Sequence, residues 1–253
     1  MMKFNWRWAL GALLLYVVLL IMSIPAAQVV NRVKLPANVS ISGVEGSIWQ
    51  GQAERVQFNN TLINDLSWDI SGWSLLAGRL TAELNAGNMR DASSIAFKGP
   101  VSVSLFNPTS FSTEDFLLYL PVARVLAEVT LPIPVAAGGR FRVNVEDLDF
   151  DNSACENMMA YGDWLNASVA GTQGPIELGT FSAKISCAQQ QFVVDVAEPN
   201  AFGLTMQAKA QQDMTNLSVS GQFKPDPSLP QEVHDAAKFF GRPNADGYIE
   251  FKL

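Results

Sequence analysis

The chain has 253 residues, 48% of them hydrophobic and 16% charged, with a formal net charge of −7. That acidity, with no run of Lys or Arg, leaves no basis for nucleic-acid binding. His234 is the sole histidine, which excludes chemistry built on two imidazoles, and the GxSxG, HExxH and GxxxxGK[ST] motifs are absent.

In chain order, Lys3 and Arg7 precede an uncharged apolar run from Trp8 to Ala27. Twenty residues in a helix rising about 1.5 Å each span about 30 Å, the thickness of a bilayer's hydrocarbon core. The run is longer than the core of a cleavable signal peptide, and Pro25-Ala26-Ala27 makes a poor cleavage site. The pattern predicts a cytoplasmic head over 1–7, a retained transmembrane anchor over 8–27 and one exported region over 28–253.

The exported region reads as β. Segments 39–42, 53–58, 66–70, 78–84 and 99–105 alternate or are β-branched, between Gly, Asn and Pro turns. The pattern resumes at 140–150, 163–171, 176–186, 191–198, 204–210 and 217–223, and 247–253 closes the chain. Strands about ten residues apart favour a curved, meandering antiparallel sheet over βαβ units.

Two helices are expected to interrupt the strands. One covers 113–127 and is split at Pro121. The other has Ser228 and Gln231 at capping-box spacing and Pro230 in its first turn. Its apolar stripe is Val233, Ala236, Ala237 and Phe240, and Gly241 stands at the C′ position. A faint echo between AERVQF (53–58) and VEDLDF (145–150), each followed by Asn or Asp, admits two tandem halves, 37–130 and 131–253.

Cys155 and Cys187 are the two cysteines. An even pair in an exported region suits one disulfide in an oxidising compartment, with two buried free thiols as the alternative. Asp147, Asp149 and Asp151 alternate along a strand. Asn152 and Met158 stand where an EF-hand loop needs Gly and Glu, so a solvated strand face is expected and not a metal site. His234 sits between apolar and charged neighbours and reads as a half-exposed surface residue. No cofactor and no catalytic residue is expected.

The segment Gly46-Ser47-Ile48-Trp49-Gln50-Gly51 follows the apolar run and leads into QAERVQF and a Trp-containing strand. Later come the separated cysteines, a helix ending in Phe239-Phe240-Gly241, and Asp246-Gly247-Tyr248 before the last strand. This order of parts resembles the type II secretion system protein N family over essentially the whole chain. The resemblance implies a non-catalytic accessory protein of the inner membrane. It would serve the machine that moves folded proteins from the periplasm across the outer membrane, and its partners would be the membrane and other secretion components.

Read from the residues alone, Gly46 and Gly51 bracket a tight turn and Trp49 is a buried anchor with Trp68 and Trp73 nearby. An exposed Trp49 acting as a docking residue is the alternative. A rival function follows from the same architecture: an envelope lipid-handling module that shelters acyl chains on an apolar face. That rival requires a continuous apolar trough open to solvent.

Overall fold

The computed structural model describes residues 6–33, 36, 38–59, 61–128, 136–152, 154–188, 191–211 and 216–252. Most of the expected head 1–7 therefore lies outside the described residues. The apolar run forms α1 (Trp6–Met22) and a short α2 (Ala26–Val30). The run is not one helix through Ala27, because Pro25, which has no N–H to donate, stands extended and forms an isolated bridge with Ser47. Among the described residues, no helix is long and apolar enough to cross a membrane.

Thirteen strands follow among the described residues. They are β1 (Val39–Gly46), β2 (Gln50–Phe58), β3 (Thr61–Ser71), β4 (Arg79–Ala86), β5 (Ala96–Ser104), β6 (Phe111–Pro121) and β7 (Ala137–Asp151). The rest are β8 (Ala154–Gly171), β9 (Gly174–Ala188), β10 (Gln191–Val196), β11 (Thr205–Gln211), β12 (Ser218–Phe223) and β13 (Ile249–Lys252). They make one antiparallel sheet in strict sequence order, with β1 and β13 at its edges.

All twelve strands expected from the sequence have counterparts in this meander. The turns follow the predicted chemistry: Asn59 and Asn152 end β2 and β7 at φ +51° and +49°, a backbone that Asn tolerates well. One sheet runs through the 130/131 boundary, since β6 pairs with β7 along its length, for example Phe111 with Phe150 and Leu118 with Val143.

The expected helix over 113–127 is corrected. Residues 111–121 form β6, and only α3 (Val122–Glu128) is helical, beginning just past Pro121. A run such as Phe116-Leu117-Leu118-Tyr119-Leu120 carries no decisive period, and here ladders to both β5 and β7 claim its backbone. Thr113, buried within β6, donates its hydroxyl to the Pro100 carbonyl.

α4 (Gln231–Ala237) lies within the second predicted helix, and a 3-10 turn, Lys238–Phe240, continues it. The capping box does not form. Ser228 bonds to the Asp226 carboxylate instead, through its N–H at 2.8 Å and its hydroxyl at 2.7 Å. Val233 and Ala237, one turn apart, are the buried members of the stripe, whereas Phe240 is 52% exposed. Val233 packs on Ala167, Ile176, Leu178 and Phe181, so α4 lies against β8 and β9. Ala237 joins Phe223 and Ile249 in a second cluster.

Candidate functional site

The GSIWQG turn joins α1 to the sheet. Gly46 has φ +85°, and a Cβ there would fall 2.6 Å from the Gln50 carbonyl oxygen. A Cβ on Gly51 would fall 2.5 Å from the Trp68 ring. Each glycine therefore has its own reason: Gly46 for the turn, Gly51 for the ring packed over it. The Ser47 hydroxyl accepts the N–H groups of Trp49 and Gln50 at 3.2 and 3.1 Å, and the Trp68 indole donates to the Ile48 carbonyl at 3.1 Å.

Two bonds cross from this turn to the end of the apolar run. The Trp49 indole donates to the Ile21 carbonyl at 2.9 Å, and the Ile48 N–H to the Ile24 carbonyl at 3.1 Å. The last carbonyls of a helix lack intrahelical partners, and here the turn supplies them. Trp49 is half-buried in this joint. Trp73 is not part of this packing: it is 83% exposed at the start of the 3-10 turn Ser74–Ala77. From Leu10 to Met22 the side chains of α1 are exposed, Leu13 at 61% and Leu14 at 64%.

Cys155 at the start of β8 and Cys187 at the end of β9 are disulfide-bonded, with Cα atoms 6.2 Å apart. The β8–β9 ladder stops at Met159 and Ser186, so the bond ties the two strands just past their last hydrogen-bonded pair. The nearby aspartates are held separately. Asn157 donates to Asp147, while Asn107 and Asn152 donate to Asp151 at 3.1 and 3.0 Å. Bulges between Val145 and Asp147 and between Asp149 and Phe150 break their simple alternation. Among the described residues, no group of three or more His, Cys, Asp or Glu is placed to hold a metal ion. His234 is half-buried on α4.

An apolar concavity lies on one face of β7 to β13, with a volume of about 580 Å³. Its floor follows from register. Val143, Gly162, Ala183, Val196 and Met206 are successive cross-strand partners from β7 to β11 and all line it. The small members deepen the floor, and an aromatic wall stands beside them. Phe141, Trp164, Phe181, Phe202 and Phe223 follow one another with ring centroids 6.0, 5.5, 6.1 and 6.3 Å apart. The Trp164 indole is satisfied by the Gly138 carbonyl at 2.8 Å. Phe240 at the end of the α4 segment forms part of the rim.

The reverse face of the same strands is polar. Arg142, Asp163 and Ser182 are cross-strand partners there, with Arg142 Nη2 2.6 Å and Ser182 Oγ 2.7 Å from the Asp163 carboxylate. Burial raises the pKa of Asp163, but the bonds from Ser182 and Arg142 and the arginine's charge outweigh it and hold the carboxyl below its ordinary value.

The joint uses residues that the sequence singles out, Gly46, Trp49 and Gly51, and it adds an unforeseen partner in the end of α1. The apolar trough that the lipid-handling reading requires cannot be assembled from the sequence: β7, β8, β9, β12 and β13 each bring one aromatic residue to it, and only the register shows that they meet.

Residues 37–252 match the family described as type II secretion system (T2SS), protein N. The type II secretion system protein N of Vibrio cholerae is 27% identical over 236 residues, covering 91% of this chain and 90% of that relative. That of Aeromonas hydrophila is 28% identical over 238 residues, covering 93% and 92%. That of Pectobacterium carotovorum is 21% identical, covering 93% and 91%. No solved structure matches the chain. With a match over residues 37–252 that spans all thirteen strands from β1 to β13, the chain belongs to the type II secretion system protein N family.

Proposed function

We propose that this protein is a non-catalytic component of type II secretion that holds a β-sheet module at the periplasmic face of the inner membrane. Family membership supports the secretion role. The observation that supports the placement is the joint, in which Trp49 and Ile48 hydrogen-bond the carbonyls of Ile21 and Ile24. An apolar helix bonded in this way to the β1–β2 turn carries the sheet wherever it inserts. At about 1.5 Å per residue, α1 measures about 26 Å, and the bilayer thins locally to meet a short apolar segment at a cost of fractions of a kcal/mol per Å. Lys3 and Arg7 favour a cytoplasmic N-terminus. On this reading Gly46, Trp49 and Gly51 serve as the joint between tether and module, and the partners are the membrane and neighbouring secretion components.

The test is to vary the tether. Replacing residues 6–22 by an unrelated transmembrane helix keeps backbone carbonyls for Trp49 and Ile48 and is expected to preserve secretion of an exoprotein. A cleavable signal peptide in the same place releases the module and removes the high effective concentration of membrane confinement, so secretion is expected to fall. Full secretion with the released module would overturn the tether.

A further inference from the structure

We propose that the concavity across β7 to β13 is a binding site for the acyl chain of a membrane lipid. This goes beyond a role in secretion and is independent of which secretion component the module touches. A volume of about 580 Å³ lies inside the range of small-molecule sites, roughly 300–1,000 Å³. Seven strands at about 4.8 Å spacing give a face roughly 29 Å across. One acyl chain reaches about half of a 30 Å bilayer core, about 15 Å, and fits lying across the strands.

The lining selects hydrocarbon over a protein occupant. The floor residues have their backbone groups committed to the β7–β13 ladders, so a peptide laid along the trough finds no main-chain partner there. An extended peptide would bury its own N–H and C=O groups unpaired against Phe141, Trp164 and Phe181, at a cost of about 1–3 kcal/mol each. A hydrocarbon chain has no such groups. Asp163 is the one charged residue among those lining the trough, and its carboxylate is engaged by Arg142 at 2.6 Å and Ser182 at 2.7 Å, so the trough offers no unpaired charge to an ionic partner. A stable protein interface needs about 800 Å² from each partner, more than a trough of this volume presents. α4 and the loop bearing Phe202 and Leu204 pack on the same aromatic wall and give the trough a side, so it is more than an open sheet face.

The test uses the full chain in growing cells. Cells are fed palmitate carrying a photoreactive diazirine and an alkyne handle, which they build into phospholipids, and are then irradiated. Mass spectrometry of the purified chain is expected to place adducts on the trough residues of β7 to β13. Ala183→Trp puts an indole on the floor and is expected to reduce those adducts by about tenfold, equal to about 1.4 kcal/mol of binding. Lys184→Trp, one residue along and on the reverse face, is expected to leave them unchanged.

Retention of the Cys155–Cys187 bond and of the far-ultraviolet circular dichroism shows that each variant is folded. Should Ala183→Trp not fold, competition by unlabelled palmitate on the unmodified chain decides the question, and adducts that do not compete overturn the site. Adducts confined to α1, or undiminished in folded Ala183→Trp, also overturn it. A photoreactive residue in place of Met206 separates the remaining occupants. A lipid adduct supports the proposal, and a product of twice the chain's mass identifies a second copy and refutes it.

Discussion

At the scale of single residues, the two glycines of GSIWQG differ in how they answer substitution. Gly51→Ala drives a methyl into the Trp68 ring and the Glu45 carbonyl oxygen, 2.5 and 2.7 Å from its Cβ. Gly46→Ala meets the Gln50 carbonyl and also forces a left-handed backbone on alanine. Each is expected to destabilise the module by about 1–3 kcal/mol, read as a lower midpoint in urea. Trp49→Phe keeps one aromatic ring and removes the pyrrole part of the indole with the N–H that reaches Ile21; the lost hydrogen bond alone has an expected cost of about 0.5–1.5 kcal/mol. The distinctive readout is amide exchange. The Ile48 N–H, bonded to Ile24, is expected to exchange faster, while amides in the β8–β9 ladder keep their protection. Equal acceleration at both places would show that Trp49 supports the sheet as a whole. The sequence displays the glycines and the tryptophan, but not the reach from Trp49 to a carbonyl 28 residues away, because the acceptor is backbone and every residue carries one.

At the scale of elements, legibility followed periodicity. The strands alternate and were readable. β6 reads as a helix in the sequence because five consecutive apolar residues, Phe116 to Leu120, satisfy either period, and the ladders to β5 and β7 that decide the matter are long-range contacts. The length of β8 was only half visible, since 154–162 mixes Cys, Asn, Met and Gly with no clear alternation. The disulfide that closes the β8–β9 pair encloses a sequence separation of 32 and should contribute about 3–4 kcal/mol by limiting the unfolded chain. Cys155→Ser is expected to lower stability by about that amount, and thiol labelling of the freshly isolated unmodified chain should find no free cysteine. The Arg142–Asp163 pair gives a pH dependence of defined sign. The folded pKa of Asp163 lies below its unfolded value of about 3.9, so its contribution is present above that pH and is lost as pH falls through the folded value. Because Arg142 is 45% exposed, about 1 kcal/mol is the upper scale of the pair. Thermal melting of Asp163→Asn should therefore lie below that of the unmodified chain at neutral pH and approach it near pH 3.

At the scale of the molecule, a one-layer sheet has to manage two faces. The second half does so by placing aromatic and small residues on one side and polar residues, among them the Arg142–Asp163 pair, on the other. The first half buries small side chains such as Ala53, Ala86 and Ala96. The joint sits at the β1 edge, and β13 forms the opposite edge of the strand order. That arrangement makes the C-terminus a suitable place for a reporter, because a fusion after Leu253 leaves the β1–β2 turn and α1 untouched. Placement of the sheet in the periplasm predicts that alkaline phosphatase fused there is active, and that β-galactosidase fused there is not. The Cys155–Cys187 bond makes the same demand independently, since it needs an oxidising compartment to persist. Active β-galactosidase with inactive phosphatase, together with reduced cysteines in the same cells, would place the sheet in the cytoplasm and remove the basis for a periplasmic module.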